Sequence, residues 1–163
     1  MKNIDWSNLP FGYMRTDYNV RCYYRNGEWG ALELCSEETI NLHMAATCLH
    51  YGQEGFEGLK AYRGKDGKIR IFRPEANAER LQRTCRGILM PELPTELFVN
   101  AVKKVVKANE RFIPPYESGA ALYIRPLLIG TSAQVGVHPA SEYLFVIFVT
   151  PVGPYFKGGF ATN

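Results

Sequence analysis

The sequence predicts an α+β fold, a mainly antiparallel sheet with two helices packed on it. Three observations predict it. Two tight-turn signals, Asn26-Gly27 and Lys65-Asp66-Gly67, each join stretches of β-forming residues. Two later stretches carry apolar residues at helical spacing: Ala78, Leu81 and Cys85, then Leu97, Ala101, Val102, Val105 and Val106. Two apolar strands, Ala120–Ile129 and Glu142–Thr150, follow those helices.

Taken in order, residues 1–15 are turn-rich, and Leu9-Pro10-Phe11-Gly12 is irregular. Val20–Tyr24 reads as a strand with Trp29–Leu34 as its return, followed by the polar patch Ser36-Glu37-Glu38. Met44–Tyr51 suits a short helix, and Phe56–Tyr62 suits one strand paired with Lys68–Phe72, with Ile69 and Ile71 on one face. Pro74 suits the first position of a helix and Gly87 its end. Pro114-Pro115 closes the second helix. Residues 1–150 are expected to form one domain. Pro151–Asn163, crowded with Pro151, Gly153, Pro154, Gly158 and Gly159, reads as a linker.

Composition narrows the function. With 46% apolar and 21% charged residues, the 163-residue chain can bury a core. Its net charge of +3 is small and spread out, which argues against nucleic acid; Lys103, Lys104 and Lys107 read as a solvated helix face. Cysteines 22, 35, 48 and 85 form no C-x-x-C pair, so free thiols are expected and no metal site. The N-terminus has no apolar signal core, and the run Tyr143–Val149 is far short of the ~20 residues of a membrane helix. A soluble, cytoplasmic protein with no membrane contact is expected.

No nucleotide-binding glycine motif, nucleophile elbow or metalloprotease motif is present. His43, His50 and His138 are isolated and read as structural. In Leu122–Gly130, strand alternation places Tyr123 and Arg125 on one face. A guanidinium beside a phenol suits a carboxylate, and an arginine paired with a nearby glutamate fits equally well. Arg80, on a helix flank, reaches either solvent or a phosphate. Lys60 and Lys157 read as surface lysines. Gly52, Gly55 and Gly58 recur every third residue within Leu49–Gly64. Each costs roughly 0.5–1 kcal/mol against Ala inside an element, so the run implies close backbone approach or an unusual turn.

Five blocks in order carry a resemblance. They are Leu9–Gly12; Leu49–Gly64; Arg70–Pro74 with Asn77 and Arg80; Leu122–Gly130; and Pro151–Phe156. Together they resemble the branched-chain amino-acid aminotransferases, which depend on pyridoxal phosphate and share the type IV fold. They set the chain apart from the related D-amino-acid aminotransferases and aminodeoxychorismate lyases. The resemblance implies that Arg80 binds the cofactor phosphate and that Tyr123 and Arg125 engage substrate carboxylate. It implies that Phe11, Phe56 and Tyr155 line the apolar side-chain pocket, and that Tyr51, Val135 and Val137 serve the neighbouring subunit of a homodimer. The substrates it implies are branched-chain amino acids, glutamate and their 2-oxo acids.

The family's cofactor lysine lies in a Lys-x-Gly-Gly-Asn-Tyr motif. Lys157-Gly158-Gly159-Phe160 is similar but comes too early and lacks Asn-Tyr. The chain is therefore expected to be the small N-terminal domain plus the inter-domain segment, with the lysine downstream of Asn163. No catalytic residue is expected in it, and the chain alone is expected to be inactive. The alternatives are another type IV enzyme, a D-amino-acid aminotransferase or aminodeoxychorismate lyase, or a non-catalytic dimerisation or binding module.

Overall fold

The computed structural model describes residues 4–153. Its elements are β1 (Asn19–Arg25), β2 (Glu28–Trp29), β3 (Glu33–Cys35), α1 (Thr47–Tyr51), β4 (Glu54–Phe56), β5 (Leu59–Arg63), β6 (Ile69–Ile71), α2 (Pro74–Gly87), α3 (Thr95–Ala108), β7 (Ala121–Gly130) and β8 (Tyr143–Val152). The strands form one antiparallel sheet in the order β2-β1-β8-β7-β5-β6, with β3 added to β1 and β4 to β7. The fold is α+β, as the sequence predicts.

The first hairpin turns at Asn26 (φ 53°) and Gly27 (φ 84°), both left-handed, which matches the twist of the flanking strands. Its return arm is broken, where one strand was expected. Tyr24 faces Trp29, but Val20 faces Leu34, a register shifted by one residue. The extra residue sits in a bulge after Trp29, where the Gly30 N–H bonds the Tyr23 carbonyl at 2.8 Å.

The expected strand Phe56–Tyr62 is likewise two strands, β4 and β5. Both pair with β7 in one continuous register, which sets Glu57 and Gly58 against Pro126 and Arg125. The Glu57 N–H donates to the Pro126 carbonyl at 2.9 Å. Pro126 has no N–H to return, so the ladder lapses there.

Helix α2 starts at Pro74 and buries Ala78, Leu81 and Cys85, as expected. It ends at Gly87, but the left-handed residue that turns the chain is Leu89 (φ 56°). Helix α3 stops at Ala108, short of Pro114. Asn109, fully buried, ends it: its side chain accepts from the Asp17 and Tyr18 N–H groups and donates to the Val105 and Tyr18 carbonyls. The buried stripe of α3 centres on Phe98, while Leu97 is only half-buried. Lys104 is not solvated along its length; it is half-buried, and its ammonium donates to the Leu32 carbonyl at 2.9 Å. Strand β8 runs through Pro151 and Val152, two residues past the expected end of the domain at 150.

The sheet has two unlike faces. Val20, Cys22, Leu59, Ala61, Leu122, Ile124, Leu128, Phe145, Ile147 and Val149 point to the helices and form the main core. The residues between them point the other way. That second face carries a small cluster of Ile129, Leu144 and Val146 at one end. Its other end holds Phe56, Tyr123, Arg125, Phe148 and Thr150.

Candidate functional site

Strand parity and register build the site on the second face. Arg125 faces Phe148 across β7 and β8, and Tyr123 faces Thr150. The Arg125 Nε–H donates to the Tyr123 hydroxyl at 3.0 Å. Its guanidinium lies 4.6 Å over the Phe56 ring and 5.2 Å from the Tyr123 ring. Phe11 meets Tyr123 edge-on at 5.4 Å. Among the described residues Arg125 has no carboxylate partner, so the alternative of a structural salt bridge does not hold for it. One N–H of the planar fork is fixed, and Arg125 helps to line a recess of about 240 Å³.

Phe11, Gly12, Tyr13, Tyr123, Arg125, Phe148, Thr150 and Val152 line that recess. Thr150 holds its N-terminal wall. Its buried hydroxyl accepts from the Met14 N–H at 2.8 Å and donates to the Gly12 carbonyl at 3.3 Å. The Gly153 N–H bonds the Pro10 carbonyl at 3.3 Å. The irregular Leu9–Gly12 segment is thus strapped to β8, and this places Phe11 over Tyr123. At the rim, the Tyr13 hydroxyl donates to Glu38 at 2.5 Å. Partial burial and that acceptor push the Tyr13 phenol up to about 12, so it stays a donor at neutral pH.

Gly58 explains part of the glycine run. A Cβ there would lie 2.6 Å from the Tyr123 hydroxyl and 3.3 Å from its ring. Gly55 faces the helices, where a Cβ would meet Thr84 at 2.9 Å. Gly52 (φ 61°) ends α1 in the left-handed region.

Arg80 lies on the flank of α2, off its buried stripe. It is bound to Glu57 through Nε to Oε1 at 2.8 Å and Nη2 to Oε2 at 2.6 Å. Asn77 donates to the same carboxylate at 2.9 Å and to the Gly58 carbonyl at 3.4 Å. Glu57 is 2% exposed at its side chain and Arg80 59%. The Nη1 edge of Arg80 has no protein partner among the described residues, so it can take an anion from solvent. These donors suit a phosphate group.

Tyr51 donates its hydroxyl to the Val135 carbonyl. Tyr51 and Val137 line a separate recess of about 270 Å³ with Gly52, Gln53, Ile88, Leu89, His138 and Pro139. Val135 and Val137 are 87% and 84% exposed. The structure therefore joins Tyr51, Val135 and Val137 in one patch and Phe11, Phe56, Tyr123 and Arg125 in another. Tyr155 and Lys157 lie outside the described residues.

A larger recess of about 310 Å³ adjoins the first through Tyr13 and Phe148. Its arginine, Arg21, is held to its own wall, Nε by Asn19 and Nη2 by the Glu37 and Thr39 carbonyls. His43, His50 and His138 each bond nearby backbone, consistent with structural roles. All four cysteines are free thiols. Burial pushes Cys22 and Cys85 up to about 11, which makes them poor nucleophiles. Among the described residues no His/Cys/Asp/Glu group could hold a metal ion, and no helix is long and apolar enough to cross a membrane.

Sequence reasoning missed Tyr13, Phe148, Thr150 and Glu57. The signal for Phe148 and Thr150 was their alternation in β8, which becomes useful only once β8 is registered against β7.

No family model matches the chain. It is 55% identical over 163 residues to a branched-chain-amino-acid aminotransferase of Haemophilus influenzae, covering 100% of this chain and 48% of that protein. The crystal structure of the Escherichia coli branched-chain amino acid aminotransferase superposes with a TM-score of 0.68 at 24% identity, covering 88% of this chain and 42% of that one. A branched-chain amino acid aminotransferase from T.th., solved with N-(5'-phosphopyridoxyl)-L-glutamate, gives 0.62 at 23% identity, covering 83% and 41%. The chain is similar to the N-terminal portion of these proteins and spans about half the length of the curated relatives it matches.

Proposed function

From that likeness as premise, we propose that this chain is the N-terminal part of an enzyme that transfers the amino group of leucine, isoleucine or valine to 2-oxoglutarate. The observation that carries the reading is the Arg125–Tyr123 pair, a guanidinium with no carboxylate partner among the described residues, in an aromatic recess. Pyridoxal phosphate, when bound, supplies the electron sink of the reaction. Arg80 offers its outward edge to the phosphate. Arg125 and Tyr123 take a substrate carboxylate by charge-assisted hydrogen bonds. Phe11 and Phe56, joined by Tyr155, give apolar walls that suit branched side chains. Tyr51, Val135 and Val137 form an exposed apolar patch suited to the neighbouring subunit of a homodimer. The chain up to the end of β8 is the small domain, and the segment after Val152 leads to a larger domain that bears the cofactor lysine. The protein acts in the cytoplasm, without nucleic-acid or membrane partners.

The test is an assay of the protein expressed from its complete reading frame. L-leucine with 2-oxoglutarate should yield glutamate. Activity on D-alanine or aminodeoxychorismate but not on leucine would overturn the reading. The 163-residue chain alone should be inactive, and borohydride with pyridoxal phosphate should leave Lys157 unmodified. A stable modification of Lys157 would contradict the assignment of the lysine to a later segment.

A further inference from the structure

We infer that Glu57 is a positioning residue that fixes the Arg80 guanidinium for anion binding and ties it to the carboxylate clamp through Gly58. The inference rests on the proposed phosphate role of Arg80. Pro126 interrupts the ladder at Glu57-Gly58, and strand alternation sends the two residues to opposite faces. Glu57 turns to the helices, where Arg80 and Asn77 donate to it at 2.6–2.9 Å. Gly58 lies under the Tyr123 hydroxyl on the open face. One backbone break therefore sets both anion-binding groups, and Asn77 bridges the pair by bonding Glu57 and the Gly58 carbonyl.

The asymmetry of the ion pair points to positioning. The acid is 2% exposed and the guanidinium 59%. A guanidinium has five N–H donors in a rigid fork. Glu57 takes the Nε and one Nη2 donor, which leaves the Nη1 edge turned outward. An exposed arginine without this anchor samples many rotamers, and ordering it on binding costs affinity. Glu57 also cancels charge. If Arg80 acted only as a positive charge, Glu57 would weaken phosphate binding. If orientation matters more, Glu57 strengthens it.

That difference in sign is the test. In the protein from the complete reading frame, affinities for pyridoxal phosphate and for pyridoxal are measured by the coenzyme absorbance. Their ratio isolates the phosphate contribution. Arg80→Ala should collapse the ratio, and Glu57→Gln should lower it about tenfold. Glu57→Gln should add nothing in the Arg80→Ala background, whereas a general loosening of the fold would weaken both ligands together. An unchanged or higher ratio in Glu57→Gln overturns the inference while leaving the phosphate role of Arg80 intact. An unchanged ratio in Arg80→Ala overturns both. If Glu57→Gln does not fold, Asn77→Ala keeps both charges and loosens the carboxylate. It should lower the ratio about threefold, and no change would overturn the inference.

Discussion

The two faces of the sheet use the same strands for opposite purposes. On the helix face, β7 and β8 present Leu122, Ile124, Leu128, Phe145, Ile147 and Val149, all buried against α2 and α3. On the open face the alternating positions present Tyr123, Arg125, Phe148 and Thr150. The first set is apolar and without a polar atom to satisfy. The second combines aromatic walls, a half-satisfied cation and a hydroxyl that straps the N-terminal segment. Stability should reside in one face and recognition in the other. Two residues cross the divide: Glu57, on the helix face, and Gly58, on the open one.

Substitutions can break or sharpen that contrast. The largest effect should come from Phe98→Ala on the helix face. Phe98 is fully buried, its ring centroid 6.0 Å from that of Phe145 and tilted against it. Urea denaturation should show a loss of about 3–5 kcal/mol. Gly58→Ala should be milder in stability, about 1 kcal/mol, because the added Cβ meets a ring that can tilt. It should act on recognition instead, raising the KM for 2-oxoglutarate by displacing the Tyr123 hydroxyl. A large stability loss with unchanged KM would place Gly58 with the core.

The smallest effect concerns Tyr13 at the rim. Its phenol is raised to about 12, above the ordinary tyrosine value of about 10. The protonated form is favoured in the folded protein. The stabilisation is therefore complete below about pH 10 and fades as pH rises through about 12. Tyr13→Phe should remove this alkaline component from a pH series of denaturation midpoints. Identical alkaline profiles would mean that the Tyr13–Glu38 bond contributes nothing.

How much of this was legible in the sequence follows from how local each signal is. The α2 stripe of Ala78, Leu81 and Cys85 was readable because helical periodicity is local. The Tyr123–Arg125 pair was readable for the same reason, two residues apart on one strand. The break at Glu57-Gly58 was not, because its cause, Pro126, lies on a strand whose register no local pattern gives. Phe148 and Thr150 were hidden likewise. The end of α3 at Asn109 depends on Asp17 and Tyr18, far away in sequence, whereas Pro114-Pro115 was the visible local stop. Arg80 was visible as a flank residue, but its buried partner required the fold.

The central claim is that the open face recognises the acid group and the helix face holds the fold. Arg125→Ala tests it most directly, with thermal stability and steady-state kinetics measured on the same preparation from the complete reading frame. Loss of a charge-assisted hydrogen bond of about 1.5–3 kcal/mol should raise the KM for 2-oxoglutarate about tenfold to a hundredfold, with the melting temperature nearly unchanged. An unchanged KM accompanied by a large fall in melting temperature would show that Arg125 serves the fold, and would contradict the account.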